Sequence, residues 1–176
     1  MLIVQKFGGS SIADGDRLRR AAGICMRQRQ NGNEVVVVVS AMGDTTDLLA
    51  DRARVLGGKP SPREMDALIT TGEEQSAALL VMTMESLGIP AVSLAGWQAG
   101  IYTDCRYGDS DIRLIAPVRI REALSRGRVP VVTGFQGVCA AGDITSLGRG
   151  GSDTTAVALA AALESDCCEI YTDVDG

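Results

Sequence analysis

The chain has 176 residues, 45% of them hydrophobic, which suffices for the core of one domain, and a formal net charge of -5 without any run of basic residues. That balance argues against nucleic acid and anionic membranes as partners, and no apolar run approaches a membrane span. Histidine is absent, which removes the commonest general base, the Ser-His-Asp arrangement and imidazole metal ligands. The opening Met1-Leu2-Ile3-Val4-Gln5-Lys6 is too short for a signal peptide's apolar stretch, so the expected compartment is the cytoplasm. Five cysteines, an odd number without C-x-x-C spacing, read as reduced and mostly buried.

Leu2-Ile3-Val4 with Phe7 predicts a short buried strand running into Gly8-Gly9-Ser10-Ser11, after which Leu18, Ala21, Ala22 and Cys25 mark the apolar face of a helix that Gly32 stops. Val35 to Val39 are five consecutive valines. Such a run signals a strand covered on both faces, hence a parallel sheet in an open α/β fold. The polar turn of residues 40–47 follows at that strand's end, where open α/β sheets place ligands. Leu48 to Leu56 predict a helix, and Pro60 with Pro62 a loop. A second helix carries Ala77, Leu80, Val81, Met84 and Leu87 up to Gly88. At its start Thr70 with Glu73, and Thr71 with Glu74, fit capping-box spacing, which leaves one glutamate free for a ligand.

Pro90 to Leu94 read as a strand, and Gly100 to Tyr107 with Asp111 to Ile115 as two short strands around Gly108-Asp109. Pro117 suits a first helical position, with Ile120, Ala123 and Leu124 inward and Gly127 as the stop. Val129 to Thr133 form the next buried strand, followed by the loop Gly134-Phe135-Gln136-Gly137. Gly148-Arg149-Gly150-Gly151-Ser152-Asp153-Thr154-Thr155 then feeds a stretch from Ala156 to Leu163 without a polar side chain, which predicts a helix buried on all sides. Glu169 to Thr172 form the last strand.

Three polar loops, residues 8–11, 40–47 and 148–155, are thus expected to meet on one side of the sheet, two of them glycine-rich and opening helices. Helix N-termini offer unpaired N–H groups and a partial positive charge, and Arg149 offers a planar fork for a carboxylate or phosphate. Ser152 or Asp153 could cap the last helix in the ordinary way. Lys6 is placed to neutralise a transferring phosphate, or else is a solvated lysine at a strand's end. Neither G-x-x-x-x-G-K-[ST] nor G-x-G-x-x-G after a strand is present. The residues alone therefore indicate a phosphate-binding α/β domain of the small-molecule kinase type.

Lys6-Phe7-Gly8-Gly9-Ser10-Ser11, Ser40-Ala41-Met42-Gly43-Asp44-Thr45-Thr46, Thr71-Gly72-Glu73, Gly134-Phe135-Gln136-Gly137, the 148–155 loop and Tyr171-Thr172-Asp173-Val174-Asp175-Gly176 resemble, in order, the signatures of the aspartate kinase family. The resemblance implies the amino acid kinase fold, a three-layer αβα sandwich with a mostly parallel central sheet. It implies transfer of the ATP γ-phosphoryl, with Mg2+, to the side-chain carboxylate of L-aspartate, the first step towards lysine, threonine and methionine. By motif, Lys6 would stabilise the transferring group, with Gly8, Gly9 and Ser10 cradling the phosphates and Ser40 beside them. Thr46, Glu73, Arg149, Gly150, Gly151 and Ser152 would form the aspartate site, Glu73 near the ammonium and Arg149 on the α-carboxylate. Asp153 would orient Lys6 or the magnesium, which rides on the ATP phosphates with no protein ligand assigned, and Thr172 with Asp173 would begin the adenosine site.

The family's chains continue past Asp-Val-Asp-Gly with further nucleotide-binding loops and paired regulatory ACT domains. Residues 1–176 are accordingly expected to be a catalytic domain truncated at its C-terminus, with a homodimer as the implied assembly. Two alternatives stay open: a kinase of another acceptor such as glutamate, acetylglutamate, carbamate or UMP, and a non-catalytic module that binds aspartate or a partner chain.

Overall fold

The computed structural model describes residues 1–172. Its central sheet has five strands, all parallel: β1 (Leu2–Phe7), β2 (Glu34–Val39), β3 (Ala91–Leu94), β6 (Val129–Thr133) and β9 (Cys167–Tyr171), in the spatial order β3-β6-β2-β1-β9. Alternation along each strand divides the core in two. Val35, Val37 and Val39 pack with Phe7 and Val131 beneath α1 (Gly15–Gln30) and α4 (Thr71–Ser86). Val36 and Val38 pack with Val4 and Val132 against α5 (Val118–Ser125) and α6 (Gly151–Leu163) on the other face. All five valines are fully buried, and each contributes about 1.5–3 kcal/mol through that burial.

A second, four-stranded sheet accompanies the first. Strands β4 (Ile101–Thr103), β5 (Ile112–Ile115), β7 (Gln136–Cys139) and β8 (Ile144–Ser146) lie in the order β5-β4-β7-β8. The predicted pairing of β4 with β5 is present, but β7 and β8 replace what reads as loop and small-residue chain. Their glycines and alanines hide the β pattern, and the packing of Gly137 beneath β4 supplies what propensity does not.

Other boundaries move for identifiable reasons. The segment after Pro60 is not a loop, because Ser61 accepts the Glu64 N–H at 3.3 Å and Pro62 takes the first helical position, starting α3 (Pro62–Ile69). The preceding helix, α2 (Thr45–Arg54), begins three residues before the expected Leu48, and the last strand runs from Cys167 rather than Glu169. Neither capping box at the start of α4 forms. Thr70 is already helical and its hydroxyl donates back to the Asp66 carbonyl at 2.7 Å, while Thr71 donates to the Leu68 carbonyl, so α3 and α4 run on almost without a break. Only Cys25 and Cys139 are buried; Cys105 and Cys167 are exposed.

Helix α6 is buried on one face, not all round. Ala156, Leu159 and Leu163 enter the core, whereas Val157 is 56% exposed. An alanine-rich stretch leaves the direction of burial to the neighbours, because alanine fits either environment. Leu159→Ala should therefore cost about 2–5 kcal/mol in urea unfolding, and Val157→Ala no more than about 0.5 kcal/mol.

Candidate active site

Parallel strands deliver their C-terminal ends to one edge of the sheet, and a cleft of about 380 Å³ opens there. Lys6, Gly9 and Ser10 reach it from the end of β1, and Ser40, Ala41, Gly43 and Thr46 from the end of β2 and the start of α2. Glu73 comes from the first turn of α4, and Gly148, Arg149, Gly150, Gly151, Ser152 and Asp153 from the loop after β8 and the first turn of α6. The three polar loops do converge, although the third leaves the small sheet rather than the central one.

Lys6 is not a solvated strand-end lysine. It lies on the α6 face of β1, only 8% exposed, and its Nζ sits 2.7 Å from Asp153 Oδ1. A buried ammonium stays charged when such a partner faces it, and the first turn of a helix favours the carboxylate. The Asp153 side chain is still half exposed at the cleft.

The 8–11 loop does something different from the expected cradling at a helix start. It passes into a single 3₁₀ turn, Ser10–Ile12, and α1 begins only after Asp14, whose carboxylate accepts the Arg17 N–H at 2.8 Å. That helix end is closed by its own cap. Gly9 is required by a neighbouring loop: a Cβ there would lie 2.4 Å from the Ala41 carbonyl oxygen, and Gly43 N–H donates to the Gly9 carbonyl at 3.1 Å. Gly8 does not line the cleft; its N–H donates to the Tyr171 carbonyl at 3.2 Å.

Of the two glycine-rich loops, the one before α6 opens its helix at the cleft. Gly150 precedes it in the left-handed region, at φ 72°, where glycine carries no steric cost. Neither Ser152 nor Asp153 caps it; both lie within its first turn and line the cleft. Arg149 is exposed at the mouth and has no ion pair or hydrogen bond among the described residues.

Glu73 is 3% exposed. Its Oε1 accepts the Ala41 N–H at 3.0 Å, whereas Oε2 is buried with no hydrogen-bond donor among the described residues. Burial pushes the carboxyl from its usual 4.5 up to about 7, against the opposing pull of the Ala41 amide. A buried carboxylate oxygen without a donor, lining a cleft, is suited to a ligand cation.

Thr172 is not in this cleft. With Phe7, Ser10, Ser11, Arg17, Arg20 and Tyr171 it lines a second one of about 340 Å³ that shares Ser10 with the first. Asp173 lies outside the described residues. The sequence reading did not single out Phe135, which lines the main cleft in the left-handed region at φ 67°. That conformation is uncommon for a bulky side chain and is held by a hydrogen bond from Phe135 N–H to Thr155 Oγ1 at 3.1 Å and one from Leu147 N–H to the Phe135 carbonyl at 2.9 Å. Its position between Gly134 and Gln136-Gly137 was the available signal.

With this geometry in hand, comparison with known proteins is specific: the profile described as "Amino acid kinase family" matches residues 1–176. The chain belongs to the amino acid kinase family. It is similar to the aspartokinase of Mycolicibacterium smegmatis, with 57% identity over 176 residues that cover 99% of this chain and 42% of that protein. It is also similar to the crystal structure of aspartate kinase from Synechocystis, with a TM-score of 0.85 and 48% identity over 100% of this chain and 28% of that one. The structure of E. coli aspartokinase III in complex with aspartate and ADP superposes with a TM-score of 0.89 at 27% identity, covering 100% of this chain and 50% of the other. The chain thus spans less than half the length of the curated relative it matches. No helix among the described residues is long and apolar enough to cross a membrane.

For this amino acid kinase chain the raised Glu73 pKa has a consequence for stability. Between pH 4.5 and about 7 the folded state holds a proton that the unfolded state has lost, so the contribution is intact below 4.5 and is lost as the pH rises to about 7. The shift corresponds to about 3 kcal/mol. Glu73→Gln should raise the unfolding midpoint at pH 8 and leave it nearly unchanged at pH 4.5, as thermal melts at the two pH values would show.

Proposed function

We propose that this chain is the acceptor-binding and phosphoryl-transfer part of an aspartokinase, passing the ATP γ-phosphoryl to the side-chain carboxylate of L-aspartate to give 4-phospho-L-aspartate and ADP. The observation that carries this reading is a single cleft in which a paired lysine, an open helix start, a buried glutamate and an unpaired arginine face one another. The similarity to aspartokinases over almost the whole chain supports it.

Each group has a role that its surroundings allow. Arg149 takes the α-carboxylate of aspartate with two parallel hydrogen bonds, and Glu73 Oε2 takes the α-ammonium, which draws the proton off Glu73. Thr46, Gly150, Gly151 and Ser152 close round the same ligand. The acceptor carboxylate, with a pKa of about 3.9, is ionised at neutral pH and attacks the γ-phosphorus without a general base. An oxygen–phosphorus bond forms as the bridge to ADP breaks, and no proton changes hands. Lys6, held in place by Asp153, meets the charge on the transferring group beside the α6 N-terminus, with Gly9, Ser10 and Ser40 along the phosphates.

Magnesium fits this donor set only as a passenger on ATP. The described residues contain no group of three or more histidine, cysteine, aspartate or glutamate side chains that would hold an ion. Among the described residues Asp153, beside Lys6 in the cleft, would share a phosphate-borne Mg2+, which would supply charge neutralisation when bound. Thr172, in the second cleft beyond Ser10, begins the adenosine site, and Asp173, which follows it in the chain, lies outside the described residues.

A hydroxylamine trap tests the reading. Protein, Mg-ATP and L-aspartate should give coloured aspartyl hydroxamate, L-glutamate in its place should give none, and Lys6→Ala should lower the rate by at least ~100-fold. Equal colour with glutamate, no colour with aspartate, or an unimpaired Lys6→Ala would overturn it.

A further inference from the structure

Asp66, in the middle of α3, is 1% exposed and has no part in the cleft. A carboxylate so deeply buried needs several donors, and it has three. Oδ2 accepts the Gly108 N–H at 2.9 Å and the Ser146 N–H at 2.9 Å, and Oδ1 accepts the Ser146 hydroxyl at 2.7 Å. The side chain thus joins α3 to the end of β8 and to the 104–110 loop.

Both ends of the acceptor site grow from this point. Three residues after Ser146 comes Arg149, and the chain between has little freedom. Leu147 is buried and donates to the Phe135 carbonyl at 2.9 Å, and Gly148 lies so close to Asp109 that a Cβ would sit 2.6 Å from its Oδ1. In the other direction, the Asp66 carbonyl accepts the Thr70 hydroxyl at 2.7 Å and the Thr70 N–H at 3.2 Å. Thr70 begins the turn that carries Glu73, and its own carbonyl accepts the Gln136 amide at 3.0 Å. One residue therefore holds the root of the Glu73 helix by its main chain and the root of the Arg149 loop by its side chain.

Resting on the aspartokinase reading above, we infer that Asp66 is a positioning residue that sets the span between Glu73 and Arg149, and so fits the site to the α-ammonium and α-carboxylate of one bound amino acid. Asp66→Asn keeps the shape but turns an NH2 group towards N–H donors, which releases the 146–149 arm. Displacements of about 1 Å in such a support are felt at the ligand, and a support for binding alone shows in KM rather than kcat.

The experiment is an L-aspartate titration in the hydroxamate assay for the wild type, Asp66→Asn and Ser146→Ala, with amide hydrogen exchange over residues 146–152. Asp66→Asn should raise KM for aspartate about tenfold, with kcat and KM for ATP within about twofold, and should speed exchange at 146–152 while β1 and β2 stay protected. Ser146→Ala removes only the hydroxyl link and should raise KM about two- to threefold, which carries the test if Asp66→Asn does not fold. Unchanged aspartate KM in Ser146→Ala and in any folded Asp66→Asn, or an equal loss in kcat and in KM for ATP, overturns the positioning role alone. Absence of aspartate-dependent hydroxamate in the wild type overturns the aspartokinase reading and this role with it.

Discussion

A strand of five valines buried on both faces needs apolar cover above and below, which here parallel neighbours and the helices that join them supply. That constraint on β2 governs the rest of the molecule. Parallel strands end on the same edge, so the loops after β1 and β2 must come out side by side, and crossover helices must return on one face or the other. Lys6 and Ser40 are neighbours at the cleft because Phe7 and Val39 are neighbours in the sheet.

Two buried charged side chains at this edge are treated in opposite ways. Lys6 has its partner, Asp153, within the fold. Glu73 accepts the Ala41 N–H on Oε1 and no hydrogen bond from the described residues on Oε2, and burial raises its pKa to about 7. A paired cation suits a group that must meet transient charge in a transferring phosphoryl. An underpaired acid suits a group whose partner arrives with the ligand. The contrast is set by α6, which brings a carboxylate to Lys6, and by α4, which brings none of the described cations to Glu73 Oε2.

Support for the cleft comes from a region that contributes no residue to it. The small sheet carries β8 and hence the Arg149 loop, and it is fastened to α3 and α4 through Asp66 and Gln136. Phe135 holds a left-handed backbone at the junction, tied to Thr155 in α6. Strain of this kind persists only where surrounding contacts over-determine it, and here those contacts also fix the cleft wall.

The sequence by itself determined the parallel central sheet, through the valine run, and the three polar loops at the cleft, through glycine and polar clusters that interrupt apolar segments. It also singled out Lys6, Ser40, Thr46, Glu73 and residues 149–153, through their resemblance to the motifs of a known family, and the fold gathers them at one cleft. Local pattern misread α3, since two prolines outweighed a legible Ser61-Pro62 helix start, and it misread β7 and β8, whose small residues have weak preferences. Tertiary structure alone decided that Glu73 faces the Ala41 amide rather than capping its own helix, and that one side of α6 meets solvent. Each of those outcomes depends on which group lies opposite across tens of residues of chain, and short-range spacing carries no information about that.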